Sequence, residues 1–556
     1  MTDTTTGLED VPAAQRGDLP IFNRNATGLV RELGVVHQTI FSCSGTGTLG
    51  YGVLIVLTSL AAFPRANLYV VMPVVLVLGT PILITYALLS SAIPRIGGDY
   101  TFVSRIISPN VGFAANLCLF CSTALSAGIW AWWASTQALN PILTVIGSVT
   151  GSHTIVTWGA AFSSSHQWVP FITGLVTIAI VVALAIAGMR IAMRVFTVLF
   201  AIAFVGFVID IGALLFTSHA SFVHTLTGVA GTGAYAHTTA IGARTVAQGY
   251  SVKDTIGALY LAMSAVMYAY WGAYTSAEFK GANHRSRQLS TMLGAGLGQG
   301  ILVFIALIVL LNTVGHAFIV SAVQGNFTAP GGSTIGTAGY VYFGSLVLTH
   351  ALVVTIVSLM YLGWFLPGQF INEAMAYRAV LTWSFDGLLP KVFAKVNDRT
   401  HTPIPAIMIA AIFAVVGLAL STFTTKFLAI LGVVILFNYI PAIFVGLAAV
   451  LMPWRRPHLY RGSPADWRIA GLPVTPIVGA ASVVIVAGMI VVAFYFHNEI
   501  GLTDTPAVLG LTYHQLAWIL PLLVGAISVV WYRLAVWRHA RRGVDMKLAY
   551  TMLPPD

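Results

Sequence analysis

Charged side chains are scarce in this sequence of 556 residues. Asp, Glu, Lys and Arg make up only 8% of it, whereas 57% of the residues are hydrophobic and the mean hydropathy is +0.87. A soluble globular domain carries roughly 25% charged residues. This scarcity excludes a soluble enzyme with a large core, and no polar segment is long enough for a separate soluble domain. The sequence therefore predicts an all-α polytopic membrane protein.

Cysteine is also rare, and several catalytic motifs are absent. The 3 cysteines lie in apolar runs, so we expect no disulfide framework, and Cys118 and Cys121 are interpreted as small packing residues rather than a redox or metal pair. A Gly-Lys-Ser/Thr phosphate loop and a His-Glu-x-x-His motif are both missing. We therefore expect neither ATP-driven transport nor an enzyme, with no catalytic residues and no metal site.

Long apolar runs dominate what is present. Runs of about 20 apolar residues fill the ~30 Å hydrocarbon core of a bilayer. The sequence contains twelve, which predicts spans at 33–62, 69–93, 110–146, 168–189, 191–217, 256–280, 289–319, 343–379, 403–422, 427–452, 472–496 and 515–538.

Positive charge predicts the orientation of these spans. With the N-terminus inside, the outer segments hold only four of the 27 Lys and Arg residues, which are Arg65, Arg244, Lys253 and Lys426. Because cytoplasmic loops carry the excess of Lys and Arg, both termini are predicted to be cytoplasmic in a plasma-membrane protein. The net charge of +10 is then explained by topology and anionic lipid headgroups rather than by nucleic acid.

Two spans contain residues that are unusual in an undisturbed membrane helix. The first carries Ser42–Thr48, rich in glycine and hydroxyl groups, and the sixth carries the run 270–273, Tyr-Trp-Gly-Ala. Because they lie five spans apart, they start on opposite sides of the membrane, which indicates an inverted repeat with interrupted helices 1 and 6. The alternative is that the glycines only permit close helix packing.

The predicted division is a cytoplasmic segment 1–32, five-helix repeats 33–217 and 256–452, two additional helices within 472–538, and a cytoplasmic tail 539–556.

An interruption at these places predicts a polar site. It frees backbone N–H and C=O groups that lipid cannot satisfy. N–H groups at the start of a half-helix suit a carboxylate, and freed carbonyl groups at the end of the other half suit an ammonium group or a metal cation. A zwitterion matches both.

Ordered motifs in the loops and spans resemble the amino acid–polyamine–organocation (APC) superfamily of permeases, over roughly residues 30 to 455. The stretches that carry the resemblance are Arg31–Gly34, Ile93–Tyr100 with Val103–Arg105 and Ser108–Phe113, Tyr268–Gly272 with Glu278–Lys280, Arg378–Lys391, and Thr402–Pro405. The resemblance implies a LeuT-like fold and transport of amino acids or related amines by alternating access.

The resemblance also implies where substrate binds. Ser44, Gly45, Thr46 and Gly47 would offer amides to its carboxylate, in a register that departs from the usual Gly-Ser/Ala-Gly of the family. Carbonyl groups near Cys43 and in the segment Ala269, Tyr270 and Trp271, before Gly272, would face the amine. Tyr268 falls where the family places an aromatic gate.

Coupling to an ion is the remaining functional question. Some members use a lysine in the fifth span instead of sodium, but 196–209 holds no Lys or Arg, so we expect transport that needs no proton gradient. Thr355 and Ser358 share a helix face and are candidates for a sodium site, although such hydroxyls also bond their own helix backbone. Asp210 is an intramembrane acid, which either binds a cation or proton or is paired near the outer interface.

Several alternatives stay open at this point. The chain is either an amino acid permease, a polyamine or organic-cation permease, or a substrate-binding membrane sensor without net transport, and either a monomer or a homodimer. The tryptophans Trp130, Trp132 and Trp133 either wall the cavity or only pack. Glu278 and Glu373 are interpreted as members of structural ion pairs with Lys280 and Arg378 at the inner gate.

Overall fold

The computed structural model describes residues 31–45, 48–335, 339–397, 399–424, 427–508, 510–546 and 550. Twelve of its helical stretches are long and apolar enough to cross a membrane, so the prediction of a multi-pass membrane protein with twelve spans is confirmed. Spans 1 to 12, in chain order, are Val35–Ala62, Leu68–Ala92, Pro109–Thr150, Trp168–Ala187, Met189–Leu215, Val252–Thr275, Arg285–Val323, Ala351–Phe385, Ile404–Phe423, Phe427–Arg455, Val474–Tyr495 and Tyr513–Ala540.

Several spans are built from more than one helical piece. Span 1 consists of Val35–Gly45 and Thr48–Ala62, and residues 46 and 47 lie outside the described part. The other composite spans contain the pieces Pro109–Trp133, Ala134–Leu139 (π) and Asn140–Thr150; Val252–Ala262, Ser264–Met267 and Tyr268–Thr275 (3₁₀); Arg285–Leu310, Leu311–Gly315 (π) and His316–Val323; and Ala351–Met360, Tyr361–Trp364 (3₁₀) and Phe365–Phe385. The interruption of spans 1 and 6 and the inverted repeat stay predictions.

Short elements connect the spans. The helices are Asp99–Ile106, His153–Ala161, His219–Ala230, Ala234–Val246, Pro330–Gly332 (3₁₀), Gly339–Leu346, Lys391–Ala394 (3₁₀) and Pro457–Tyr460. Two antiparallel ribbons pair Arg468–Ile469 with Leu472–Pro473, and Pro506–Val508 with Leu511–Thr512.

The start of span 8 is the largest boundary error of the sequence analysis. The predicted span 343–379 begins inside Gly339–Leu346, which is a separate helix, and the span itself runs from Ala351 to Phe385. The chain breaks between the two helices, where Thr349 has a φ of 58°. Hydropathy could not detect this break because the residues on both sides of it are apolar.

Burial separates central spans from peripheral ones. The most apolar stretch of span 6 is 89% buried, whereas those of spans 4 and 11 are 28% buried and that of span 12 is 17% buried. Span 1 packs against span 7 and against the 3₁₀ segment of span 6. Spans 1 and 6 therefore lie in the interior of the bundle, and spans 11 and 12 lie at its rim.

Span 3 crosses span 9 at the distance that glycine allows. A Cβ atom on Gly128 would overlap the carbonyl oxygen of Ala414 and the amide nitrogen of Leu418, and one on Gly417 would overlap the carbonyl oxygen of Leu125. In membranes, where the hydrophobic effect does not drive helices together, such small-residue contacts contribute much of the packing energy.

We predict that Gly128→Ala destabilises the protein. Ala is favoured over Gly inside a helix by ~1 kcal/mol, but the added methyl group would meet backbone that cannot move aside, and overpacking typically costs about 1–3 kcal/mol. The melting temperature of the purified protein in detergent should fall. Gly298→Ala is the matched control, since open space surrounds Gly298 in span 7. Equal melting temperatures for the two variants would contradict the proposed helix crossing.

Candidate functional site

The N-terminal end of span 1 and the C-terminal end of span 6 are joined through their backbones. The Leu33 amide donates to the Glu278 carbonyl (2.9 Å), and the Lys280 amide donates to the Leu33 carbonyl (3.0 Å). The resulting parallel bridge, Leu33 with Phe279, uses the short polar stretch after the 3₁₀ segment. The segment before span 1 is thereby fixed to the end of span 6.

A buried ion pair adds span 8 to this junction. Arg378 Nη2 donates to both carboxylate oxygens of Glu278, at 2.9 and 2.8 Å, and the two side chains are 2% and 6% exposed. The predicted pairing of these residues is thus present. Glu373, which was expected to pair too, is buried, and neither of its oxygens has a hydrogen-bond partner among the described residues.

A second buried ion pair lies beside it. Arg105 forms a two-pronged contact with Asp386, Nη1 to Oδ2 at 2.6 Å and Nη2 to Oδ1 at 2.8 Å, and Tyr100 donates to the same carboxylate at 2.7 Å. Burial alone lowers the pKa of Arg105, but the Asp386 carboxylate together with Tyr100 and Tyr550 raises it by more, so this pKa lies above its usual range. The guanidinium therefore stays charged.

Span 1 lies directly against the 3₁₀ segment of span 6. Gln38 Nε2 donates to the Gly272 carbonyl (2.5 Å), and Thr275 Oγ1 donates to Gln38 Oε1 (2.8 Å). A Cβ atom on Gly272 would overlap the Ser42 hydroxyl, and one on Gly45 would come within 2.6 Å of the Tyr268 carbonyl oxygen. Gly45 and Gly272 therefore allow spans 1 and 6 to approach closely, and any larger residue at either position would push the two spans apart.

Next to this contact is a small cavity of about 20 Å³. Spans 1, 3, 6, 8 and 10 contribute its walls. The lining residues are Gly45, Tyr51, Ser126, Ile129, Trp130, Trp133, Tyr268, Trp271, Asn372, Leu431, Val434, Ile435 and Asn438.

Four polar atoms on lining residues have no hydrogen-bond partner among the described residues although they are buried. They are the Tyr268 hydroxyl, Trp271 Nε1, Asn372 Oδ1 and Asn438 Oδ1. The amide nitrogen of Asn372 already donates to the Gly368 carbonyl of its own helix (2.9 Å). Because buried polar groups are normally paired with protein, ligand or ordered water, these atoms make the cavity a candidate binding site.

The structure brings only part of the predicted site to this cavity. Gly45, Tyr268 and Trp271 line it, whereas Cys43, Ser44, Ala269, Tyr270 and Gly272 are buried in the same two spans without lining it. The Ser44 hydroxyl donates to the Ile40 carbonyl of its own helix (2.8 Å). Thr46 and Gly47 lie outside the described residues. The substrate-binding role of all these residues stays a prediction.

The three candidates for ion coupling make separate contacts. The Thr355 hydroxyl donates to the Ala351 carbonyl of its own helix (2.8 Å), which matches the alternative weighed for it. The Ser358 hydroxyl is buried without a hydrogen-bond partner among the described residues. Asp210 accepts a hydrogen bond from Ser345 (2.9 Å) in the helix Gly339–Leu346. No hydrogen bond links the three candidates within the described part of the chain.

A possible metal-ligand group lies outside the cavity. His497, Asp504 and His514 hold ligand atoms within 4.8 Å of one another, in the segment between spans 11 and 12 and at the start of span 12. His514 already faces Asp504 through Nδ1 (3.3 Å) and accepts from Trp518 through Nε2 (3.1 Å). Since both of its nitrogens are engaged, we interpret the group as a hydrogen-bonded cluster.

Sequence reasoning missed the polar residues that spans 1, 3, 8 and 10 contribute, namely Tyr51, Ser126, Asn372 and Asn438. A signal was available for the two asparagines, because an amide within an apolar span is costly unless it is paired or functional. The three tryptophans of span 3 divide between the two roles considered for them. Trp130 and Trp133 line the cavity, whereas Trp132 packs on Phe427 with ring centroids 4.8 Å apart.

Comparison with known proteins gives one match. A family model described as Amino acid permease matches residues 33–526. A search of curated proteins found no match.

We predict that Glu278→Ala is strongly destabilising. It would leave the buried Arg378 guanidinium without its partner, and removing one member of a buried pair typically costs about 3–5 kcal/mol. Glu32→Ala is the matched control, because the Glu32–Arg190 pair (2.6 Å) is exposed on the arginine side, and such pairs contribute only ~0–1 kcal/mol. Thermal unfolding of the purified variants measures both. Similar losses from the two substitutions would show that the inner pair does not hold the spans together.

Proposed function

The chain belongs to the amino acid permease family of the APC superfamily, whose members are membrane transporters and not enzymes, and from this premise we propose the following function. The protein is a secondary active permease or exchanger of an amino acid with an uncharged, apolar side chain. It works by alternating access, with substrate held between spans 1 and 6 and with both termini in the cytoplasm.

The observation that carries this proposal is the set of unpartnered polar atoms in the cavity. Trp271 Nε1 is a donor only, which suits a carboxylate, whereas the Oδ1 atoms of Asn372 and Asn438 are acceptors, which suit an ammonium group. The Tyr268 hydroxyl serves either. A ligand that carries a donor group and an acceptor group close together satisfies all four, and the backbone of an amino acid has this chemistry.

The charge of the cavity favours a zwitterion over a polyamine. No Asp, Glu, Lys, Arg or His occurs among the described residues that line it. A polyamine would bring uncompensated positive charge into an apolar surrounding, at a large desolvation cost. A zwitterion has no net charge, so paired dipoles are enough to hold it.

The walls of the cavity supply the specificity. Tyr51 contacts Trp130 and Trp133, with ring centroids 5.0 and 5.1 Å apart, and aliphatic side chains from spans 3 and 10 complete the surface. Such walls gain free energy by burying an apolar side chain, at roughly 25 cal/mol per Å².

The segment Tyr268–Thr275 provides the moving part of the proposal. Tyr268 stacks on Trp271 with ring centroids 5.0 Å apart and an interplanar angle of 7°. A small rotation of this segment would carry both rings away from span 1. In this proposal Tyr268 closes the cavity over the substrate, and the backbone groups of Cys43 to Gly47 and of Ala269 to Trp271 contact its charged ends.

Counterflow in proteoliposomes tests the function. We expect labelled leucine and phenylalanine to exchange against an internal pool of the same amino acid, and labelled glutamate and putrescine not to exchange. Exchange of putrescine alone would favour the polyamine permease. Saturable binding of leucine without any counterflow would favour the sensor.

We predict that Tyr268→Ala lowers the rate of leucine counterflow by tenfold or more. Loss of a buried aromatic ring removes contact energy of about 2 kcal/mol. Tyr268→Phe is the conservative control, since it keeps the ring that stacks on Trp271. Both variants should elute as folded protein in size-exclusion chromatography. Unchanged counterflow kinetics in the Ala variant would remove Tyr268 from the site.

A further inference from the structure

Asp99 is a buried acid that the proposed site does not use. It is the first residue of the helix Asp99–Ile106, between spans 2 and 3, and its exposed fraction is 0%. Neither of its carboxylate oxygens makes a hydrogen bond of normal geometry with a described residue, although the hydroxyl groups of Tyr86 and Tyr274 lie close enough to lower its pKa. Asp386 is equally buried, but its carboxylate is neutralised by Arg105. Burial at this end of the bundle therefore does not by itself leave an acid without a counter-charge.

Two glycines force Asp99 into the interior. Gly97 and Gly98 have φ values of 97° and 44°, a left-handed backbone that glycine adopts without strain. A Cβ atom on Gly98 would come within 2.6 Å of the Tyr274 ring, and one on Gly97 within 2.7 Å of Thr382. The turn is therefore wedged between the ends of spans 6 and 8, and the carboxyl group that follows it is enclosed.

The groups around the carboxyl are neutral. Tyr86 of span 2 and Tyr270 and Tyr274 of span 6 are the titratable residues that interact with it. Among the described residues no cationic or anionic side chain perturbs it: on its own helix Arg105 is turned to Asp386, and in span 8 Arg378 is turned to Glu278. An ionised carboxylate in such a place has no compensating charge, so burial favours the protonated form.

Burial raises the pKa of Asp99 to about 7, and the hydroxyl groups of Tyr86 and Tyr274 oppose this rise. At neutral pH the enclosed acid therefore holds a proton in a substantial fraction of the molecules. When water reaches the carboxyl group, its pKa returns towards the ordinary value of about 4, and the proton leaves to the solvent.

The position of Asp99 links this proton to the substrate cavity. The rings of Tyr86 and Tyr270 stack with centroids 4.0 Å apart, and Tyr270 adjoins Trp271, which lines the cavity. The carboxyl group and the substrate therefore contact the same short segment, Tyr268–Thr275, from different sides. If the proton and the substrate each favour one position of this segment, binding of one changes the affinity for the other. The two effects are equal: the substrate changes the proton affinity by the same factor as the proton changes the substrate affinity.

We propose that Asp99 is a proton-binding site, occupied while the inner ends of spans 6 and 8 enclose it and emptied to the inner side when they separate. Its ligand is the proton itself, and its link to transport rests on the function proposed above. The absence of a lysine from span 5 led us to expect transport that needs no proton gradient, and a proton bound at Asp99, on a different element, replaces that expectation.

Infrared difference spectroscopy tests proton binding without any transport. The full-length protein, in vesicles of phosphatidylethanolamine and phosphatidylglycerol, is titrated across neutral pH. We expect the carbonyl band of a protonated carboxyl group to disappear with a midpoint near 7, and Asp99→Asn to lack this titration. Glu373→Gln, which removes another buried carboxyl group without a described hydrogen-bond partner, should keep it. Since Glu373 and Asp210 also carry buried carboxyl groups, the assignment is overturned if a band that titrates near pH 7 persists in the double variant Asp99→Asn/Glu373→Gln, or if no band titrates near pH 7 in the wild type.

A second variant keeps the test decisive if Asp99→Asn does not fold. Tyr86→Phe removes a hydroxyl group that lowers the pKa of Asp99, so the midpoint of the band should move to higher pH. An unchanged midpoint overturns the assignment to Asp99.

Leucine counterflow at varied internal pH tests the coupling. Internal acidification keeps Asp99 protonated and should slow exchange in the wild type, by up to about tenfold per pH unit below the midpoint. Asp99→Asn should show no such dependence, and the surface variant Asp466→Asn should behave as the wild type. A dependence that survives in Asp99→Asn overturns the coupling. If the Asp99 band titrates but the protein shows no counterflow of any amino acid, the proton site is supported and the proposed transport function is rejected.

Discussion

The ion pair of Glu278 and Arg378 is the contact on which the junction of spans 1, 6 and 8 depends. In a surrounding of low polarity a charge is tolerated only beside its counter-charge, and this pair is also the point at which spans 1, 6 and 8 meet. The backbone bridge at Leu33 and the amide of Gln38 continue the junction along the face of span 6. The 3₁₀ segment is therefore held from one end by polar contacts that are satisfied.

At the N-terminal end of the segment Tyr268–Thr275, buried polar atoms are unpaired within the described part of the chain. Tyr268 and Trp271 present polar atoms that no described residue satisfies, and so do the asparagines that face them across the cavity. Paired polar groups fix the positions of helices, whereas buried unpaired ones call for an explanation such as a ligand or an ordered water molecule. This contrast along eight residues separates the part that fixes the protein from the part that we propose binds substrate and, at Asp99, a proton.

Much of the architecture could be predicted from the sequence because hydropathy acts locally. The number of spans, the family, and the participation of Gly45, Tyr268 and Trp271 in the cavity all follow from single stretches of chain. Asn372 and Asn438 were missed because each faces the cavity only through the rotation of its helix, which packing between spans decides. Asp99 lies within the stretch Ile93–Tyr100, yet nothing in the local sequence shows that the turn before it encloses its carboxyl group.

The neutrality of the cavity lining has an electrical consequence. A zwitterion that crosses between neutral walls moves no net charge through the membrane field, in which each elementary charge is worth ~2.3 kcal/mol per 100 mV. The voltage across the bilayer then exerts no force on the amino acid itself. Any current that accompanies turnover must belong to another particle, so a recording of current at different voltages would count the ions that travel with each substrate molecule.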